Sequence, residues 1–244
     1  MKRLALLAAC VALPAWASHP LMTEDTNVLG KRKSEFELHG ERARDEEQGL
    51  RTRRSEVTAK IAHGVTENAD LEFELPYLRE VSDGDVAQGR GDASVSLKWR
   101  FYEKEGLSLV FKPDLLLPTG RDEIGLGAGR VRWAANLVGG YETGKLEFLM
   151  HVGYTDNRNR IGERRSLWHA SAALLYSLTE KLRLVADYGR DSNPDPAAGS
   201  PGRELVVGAM YELSERIELG LGVKKGLNDA ADDRSLRMGL KLRW

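Results

Sequence analysis

The sequence contains a single cysteine, Cys10, and after its first 17 residues it has no long apolar run. A helical polytopic membrane protein needs several stretches of about 20 apolar residues, and a mean hydropathy of −0.42 is too polar to supply them. One cysteine cannot form a disulfide within the chain, so disulfides are excluded as a source of stability. Basic and acidic residues nearly balance at 36 and 37, which gives no reason to expect a nucleic-acid partner.

Residues 1–17 are predicted to be a secretory signal peptide. The segment has a positively charged start at Lys2–Arg3, an apolar stretch over Leu4–Leu13 and an A-x-A cleavage site at Ala15–Ala17. The mature chain is therefore expected to begin at Ser18. A lipoprotein cleavage before Cys10 is the alternative, and it is disfavoured because the apolar stretch before Cys10 is shorter than the usual length of about 7–15 residues.

From residue 34 onward, apolar side chains recur at every second position, which is the period of a β-strand. The clearest case is Leu71, Phe73, Leu75 and Tyr77, which alternate with Asp70, Glu72 and Glu74. Twelve such segments are predicted, at 34–46, 53–65, 70–81, 92–103, 107–118, 130–141, 145–156, 165–177, 182–191, 203–213, 217–227 and 235–244.

The connections between these segments alternate in length. Five short turns are predicted at 66–69, 103–106, 142–144, 179–181 and 214–216, and six longer polar loops at 47–52, 82–91, 119–129, 157–164, 192–202 and 228–234. This is the pattern of an even-numbered barrel whose two chain ends lie on the periplasmic side. The sequence thus predicts an all-β fold, a 12-stranded antiparallel up-and-down transmembrane β-barrel over residues 34–244, preceded by a periplasmic or plug segment at 18–33.

One face of the predicted strands carries many long charged side chains. A membrane barrel exposes its apolar face to lipid and keeps polar groups inside, whereas a half-solvated soluble sheet, the alternative, turns its polar face to water. The predicted lumen-lining residues are Glu37, Glu56, Glu72, Glu74, Lys98, Arg100, Lys112, Asp114, Arg130, Arg132, Arg183, Asp187, Arg237 and Lys241.

Aromatic residues on the apolar face stand near the strand ends. Trp133 with Tyr141, and Trp168 with Tyr176, are each eight residues apart, a rise of about 20 Å in a tilted strand, comparable to the apolar band of about 25 Å in an outer-membrane barrel. Two aromatic girdles are predicted, made of Tyr77, Phe101, Trp133, Tyr141, Tyr154, Trp168, Tyr176, Tyr188, Tyr211 and the terminal Trp244.

The predicted lumen has an acidic wall on the first three strands and a basic wall on the next three. The two walls can face each other across an aqueous pore, or they can meet and close it with salt bridges. Twelve strands lie between the small filled barrels and the open porins of 16–18 strands. A narrow or gated pore is therefore expected, which residues 18–33 could plug.

Four motifs resemble the bacterial outer-membrane family named for the MetA pathway of phenol degradation, whose members are often labelled transporters. They are the segment His19–Thr26, Gly64–Asn68 leading into Leu75–Tyr77, Gly91-Asp92 leading into Leu97–Arg100, and Leu117–Gly120. The resemblance covers most of the mature chain. It implies a barrel in the outer membrane of a Gram-negative bacterium, and it brings no catalytic residues.

Two groups of residues are candidates for chemistry, and both are better explained as ordinary positions of the barrel wall. His169 and Ser171 have the His-x-Ser spacing of some outer-membrane lipid hydrolases, where histidine is the base for a serine nucleophile, but the sequence shows no third member and the pair is expected to face inward. The histidines at 19, 39, 63, 151 and 169 have no ligand spacing. The sequence therefore predicts no enzyme, no metal site and no cofactor.

The leading functional hypothesis is an outer-membrane channel for passive passage of small polar or charged solutes, with aromatic acids suggested by the family association. The alternatives are a closed barrel with a structural or adhesive role and, last, a lipid-modifying enzyme. The expected partners are outer-membrane lipid, the machinery that assembles outer-membrane barrels and the small solutes themselves.

Overall fold

The computed structural model describes residues 19–47 and 50–244, and the predicted signal peptide lies outside the described residues. The strands are β1 (Ser34–Glu47), β2 (Leu50–Gly64), β3 (Ala69–Ser82), β4 (Asp85–Arg90), β5 (Ala93–Lys104), β6 (Leu107–Leu117), β7 (Arg132–Thr143), β8 (Leu146–Asp156), β9 (Ser166–Ser177), β10 (Leu182–Asp191), β11 (Gly202–Ser214), β12 (Ile217–Gly226) and β13 (Arg234–Arg243). One 3-10 turn lies at Asp122–Ile124. No helix in these described ranges is long and apolar enough to span a membrane.

Neighbouring strands pair antiparallel, and the sheet closes on itself. β1 pairs with β2 on one side and with β13 on the other, while β3 joins β2 to β5. Every strand except the short β4 takes part in this ring, so the predicted 12-stranded antiparallel barrel is confirmed. Closure leaves the ring of twelve strands without an unpaired edge, which a strand structure needs in a membrane, and only β4 lies outside the ring.

The structure differs from the predicted loops at two places on the long-loop end. Residues 82–91 are not an irregular loop, because β4 pairs with β3 from Tyr77–Arg90 to Ser82–Asp85. Asp83 and Gly84 both have positive φ, the conformation of a two-residue hairpin turn. The sequence signal for that hairpin is the Asp-Gly pair rather than apolar alternation, since Val86 and Ala87 are adjacent and are the only apolar side chains of β4.

The connection between β1 and β2 is the second difference. A loop at 47–52 was predicted, but the two strands pair out to Glu47 and Leu50. The first residues of β2, at the long-loop end, are rich in arginine and exposed. They therefore lack the apolar side chains at every second position from which a strand is predicted. The strands extend further than their apolar pattern does.

The outside of the barrel is apolar and its interior is polar. On β7, Trp133 and Leu137 are exposed by 46% and 47%, while Arg132 and Asn136 are each only 1% exposed. All ten residues of the predicted girdles lie on the outside, from 39% exposed for Tyr176 to 62% for Trp244. An exposed apolar surface of this extent is typical of a membrane barrel, and the two belts stay a prediction.

Candidate functional site

The N-terminal segment lies inside the barrel. We call residues His19–Thr26 the plug, because His19, Leu21, Thr23 and Glu24 are each at most 3% exposed. Asp187 on β10 holds the middle of the plug: its carboxylate accepts the backbone N–H groups of Met22 at 2.5 Å and Thr23 at 2.8 Å, and the Thr23 hydroxyl at 2.7 Å. The plug is thus bound by a specific wall residue in addition to being enclosed.

Glycines on the inner face of the barrel make room for the plug. A Cβ at Gly220 would collide with the backbone carbonyl of His19, and one at Gly239 would lie 2.5 Å from the His19 Cβ. A Cβ at Gly222 would lie 2.7 Å from Pro20. Since real Cβ contacts are not this short, these positions on β12 and β13 form a groove that only glycine permits.

The plug also has an apolar anchor. Leu21 is fully buried in a cluster of wall residues made of Leu149, Ala173, Leu175, Val185 and Met210. Arg237 on β13 donates a hydrogen bond from Nη1 to the Leu21 carbonyl at 2.8 Å. Fully burying a leucine side chain contributes about 1.5–3 kcal/mol, so this contact favours the plug inside the barrel.

A buried ion-pair network joins the plug to two walls. The two carboxylate oxygens of Glu24 accept from Lys98 at 2.9 Å and Lys112 at 2.8 Å, and Lys98 also reaches Asp25 at 2.6 Å. Lys112, which is fully buried, contacts Glu72 on the acidic wall at 2.7 Å. The acidic and basic walls therefore meet through the plug, and at this level they form salt bridges instead of facing an open pore.

Most of the predicted lumen residues point inward. Ten of them are at most 6% exposed: Glu37, Glu72, Glu74, Lys98, Lys112, Asp114, Arg132, Asp187, Arg237 and Lys241. Glu56, Arg100 and Arg183 lie on the inner face and are partly exposed. Arg130 is different, because it is exposed and lies in a bend before β7 begins, so the structure does not place it on the interior wall.

Arg132 takes part in a buried cluster of hydrogen bonds and does not face an open pore. Its guanidinium contacts Asp92 at 3.0 Å and Asn157 at 2.9 Å. Asp92 also accepts the backbone N–H groups of Gly120 at 3.0 Å and Ala128 at 2.9 Å. The Gly91-Asp92 and Leu117–Gly120 motifs thus come together, and they hold down the loop between β6 and β7.

Above the plug, the barrel opens into a vestibule of about 1110 Å³ at the long-loop end. His19 and Met22 of the plug line it, together with acidic and basic wall residues such as Glu41 and Lys224. Residues of four long loops, among them Ile161 and Asp232, form its rim. The vestibule is therefore a charged, solvent-accessible cavity that ends at the plug.

The structure supplies the third member that the His169-Ser171 pair lacked in the sequence. His169 Nε2 lies 2.8 Å from Ser171 Oγ, and His169 Nδ1 lies 2.7 Å from Asp191 Oδ1. Asp191 is 22 residues away along the chain and faces His169 through the β9–β10 register. This is the arrangement of a Ser-His-Asp triad, but the Thr23 hydroxyl of the plug contacts Ser171 Oγ at 2.8 Å and covers the nucleophile position.

Comparisons with known proteins support the barrel. The model of the family described as "Putative MetA-pathway of phenol degradation" matches residues 42–244. An outer membrane channel from Pseudomonas putida F1 is similar in structure, with a TM-score of 0.76 at 15% identity over 90% of this chain and 98% of that one. The KdgM porin gives a TM-score of 0.59 at 10% identity, covering 85% of this chain and 98% of its own. No curated protein matches the sequence.

Proposed function

The chain belongs to this MetA-pathway family, and from that premise we propose that it is an outer-membrane channel that is closed by its own N-terminal segment. It passes small polar or charged solutes passively when the plug leaves the lumen. Residues 1–17 direct export, and lipid surrounds the apolar outer face. The observation that carries the proposal is the plug itself, which fills the lumen between an accessible vestibule and the short-turn end of the barrel.

The contacts of the plug are of a kind that can be broken without unfolding the wall. The strands are held by their own ladders, whereas the plug is held by hydrogen bonds to Asp187, by ion pairs of Glu24 and Asp25 and by the burial of Leu21. Once the plug leaves, water solvates Lys98 and Lys112, which reduces the cost of separating these charges. A closed and an open state are therefore both compatible with the same barrel.

The lining of the vestibule supports the proposed class of solute. It is lined by carboxylates and by cationic groups at close range, and Lys224 contacts both Glu41 at 2.8 Å and Glu204 at 3.0 Å. Such a mixed surface suits small polar or charged molecules, and the association of the family with phenol degradation makes aromatic acids the first class to examine. KdgM and NanC, two of the similar structures, are described as porins, which supports the same proposal.

The two remaining candidates are less well supported. A closed structural barrel explains the plug but gives no role to the vestibule. A hydrolase is favoured by the triad geometry, yet the serine hydroxyl contacts the plug, and the residues around it hold Thr23 and Met22 in place. We propose that these residues anchor the plug and that the protein is not an enzyme.

Deleting residues 19–26, while keeping residues 27–33 and the whole barrel, should raise the single-channel conductance severalfold. The reason is that the deletion removes every plug contact but leaves the ladders of all strands unchanged. Purified protein in planar bilayers gives the measurement, and a different gel mobility before and after boiling shows that the variant is folded.

A synthetic peptide of residues 19–30 provides the control. Added to the deleted channel, it should reduce the current, because it restores the contacts of Glu24 and Thr23. Equal and measurable conductance of the two folded proteins would contradict the plug. Absence of current in both would favour the closed structural barrel instead.

A further inference from the structure

Three side chains from two separate parts of the sequence meet where the plug touches β1. Glu37 and His39 are two residues apart on the inner face of β1, and His19 comes from the plug. His19 Nδ1 lies 4.0 Å and His39 Nδ1 lies 3.5 Å from the same oxygen, Glu37 Oε1. The two imidazole rings are stacked with centroids 4.2 Å apart.

The imidazole rings of both histidines are buried without a close hydrogen-bond partner in the part of the chain that the structure describes, and the nearest carboxylate oxygen to His39 Nδ1 is Glu37 Oε1 at 3.5 Å. Both are 3% exposed, and none of their four ring nitrogens has a hydrogen-bond partner among the described residues. Buried polar groups nearly always have a partner, so an exception needs an explanation. The two Nδ1 atoms lie nearest the same carboxylate oxygen, and together with it they form the donor set of a metal site.

We propose that His19, Glu37 and His39 bind a divalent transition-metal ion, for which Zn²⁺ is the representative. Imidazole and carboxylate are ligands that such ions prefer, and two histidines with one glutamate form a known zinc-binding set that keeps one position for water. Bonds of about 2.0–2.1 Å in a tetrahedron place the ligand atoms about 3.3 Å apart. The three ligand atoms lie within 4.8 Å of one another, so they must approach one another to bind an ion. The stacked rings, 12° from parallel, must also rotate, because a coordinated ion lies in the plane of each imidazole that binds it.

The neighbouring charges leave one oxygen of Glu37 for the ion. Lys60 contacts the other oxygen, Oε2, at 2.9 Å, and Lys241 lies 4.0 Å from the same Oε2. Arg237, the third nearby cation, contacts Glu41 at 3.2 Å. Arg237 thus pairs with Glu41, and Lys60 and Lys241 lie against Oε2, while Oε1 faces the two imidazoles and accepts the His19 backbone N–H at 3.4 Å.

The position of the site determines how an ion can reach it and how a bound ion affects the plug. His19 and His39 both line the vestibule, so an ion can enter from the long-loop end and retain a water ligand. Because His19 belongs to the plug and the other two ligands belong to β1, a bound ion tethers the plug to the wall. A ligand that binds one state shifts the equilibrium toward it, so the ion favours the closed channel. This last step rests on the proposed function, whereas metal binding itself does not.

Zinc titration of the purified, tag-free barrel in detergent, followed by calorimetry, tests the site. We expect one Zn²⁺ per chain in the wild type. His39→Gln should weaken binding at least about tenfold, since even the loss of an outer-shell partner costs about 10–100-fold. His63→Gln is the matched control, because His63 is exposed on β2 and bonds to Ser34, and it should bind zinc like the wild type.

Other outcomes overturn the proposal. Unchanged binding in folded His39→Gln excludes the site. A loss of binding in His151→Gln with retention in His39→Gln moves the metal to the other histidine pair, His151 and His169. If zinc binds at His39 but leaves the opening of the wild-type channel unchanged, the inference that the bound ion holds the plug in the closed state is wrong. The deletion of residues 19–26 tests the channel without zinc, so the two failures are distinguishable.

Discussion

Replacing Arg132 with glutamate should prevent the barrel from assembling. Arg132 is 1% exposed, and its guanidinium contacts Asp92 at 3.0 Å. The substitution leaves Asp92 without its cation and places a second carboxylate beside it. Breaking a buried ion pair by removing one partner costs about 3–5 kcal/mol, which is a large part of the stability of about 5–15 kcal/mol of a typical protein.

The measurement is the fraction of protein that runs as a folded band before boiling. Arg130→Glu is the matched control, since it makes the same charge change two residues earlier at an exposed position outside β7, and it should assemble normally. Assembly of Arg132→Glu at the wild-type level, with only a changed ion preference, would show that Arg132 is a solvated pore residue, as its place in the sequence alone had suggested.

Gly220→Val should open the channel while the barrel still folds. The side chain of valine would occupy the space of the His19 carbonyl and lie against Pro20, so it forces the plug out of its groove. Valine fits a β-strand well, and the pairing of β12 with β13 does not require glycine at this position. We expect the conductance to rise toward that of the protein lacking residues 19–26.

Gly139→Val is the matched control for Gly220→Val. Gly139 lies on the outer face between Leu137 and Tyr141, and a Cβ there meets only the Leu109 side chain at 3.5 Å, which is ordinary contact. This variant should keep the conductance of the wild type. A folded Gly220→Val protein that also keeps it would mean that the plug does not occupy the glycine groove.

The sequence predicts the barrel well because a two-residue period is a local property. A strand with lipid on one side and a polar lumen on the other must alternate, and segments such as Leu71–Tyr77 show this directly. Prediction fails where a strand does not have apolar side chains at every second position. The arginine-rich end of β2 and the short β4, whose only apolar side chains are Val86 and Ala87, are paired strands without a sustained alternation of apolar and polar residues.

The site was only partly predictable, since its partners come from distant parts of the chain. The alternation indicates that Lys112 and Glu72 face inward, but it does not show that Glu24 lies between the two walls. Asp191 reaches His169 through strand register, and His19 reaches His39 only because the chain enters the barrel. Spacing along the sequence contains none of these contacts.

A disulfide between the plug and the wall tests the central claim most directly. The Thr23 and Ser171 hydroxyl oxygens lie 2.8 Å apart, so cysteines at these positions should be able to form a bond of about 2.05 Å. The measurement is the single-channel current of the double variant Thr23→Cys/Ser171→Cys, first oxidised and then reduced in the same bilayer. The plugged-channel account predicts a closed channel while the disulfide is intact and opening events after reduction. The same open current in both states, with the disulfide verified by mass spectrometry, would contradict it.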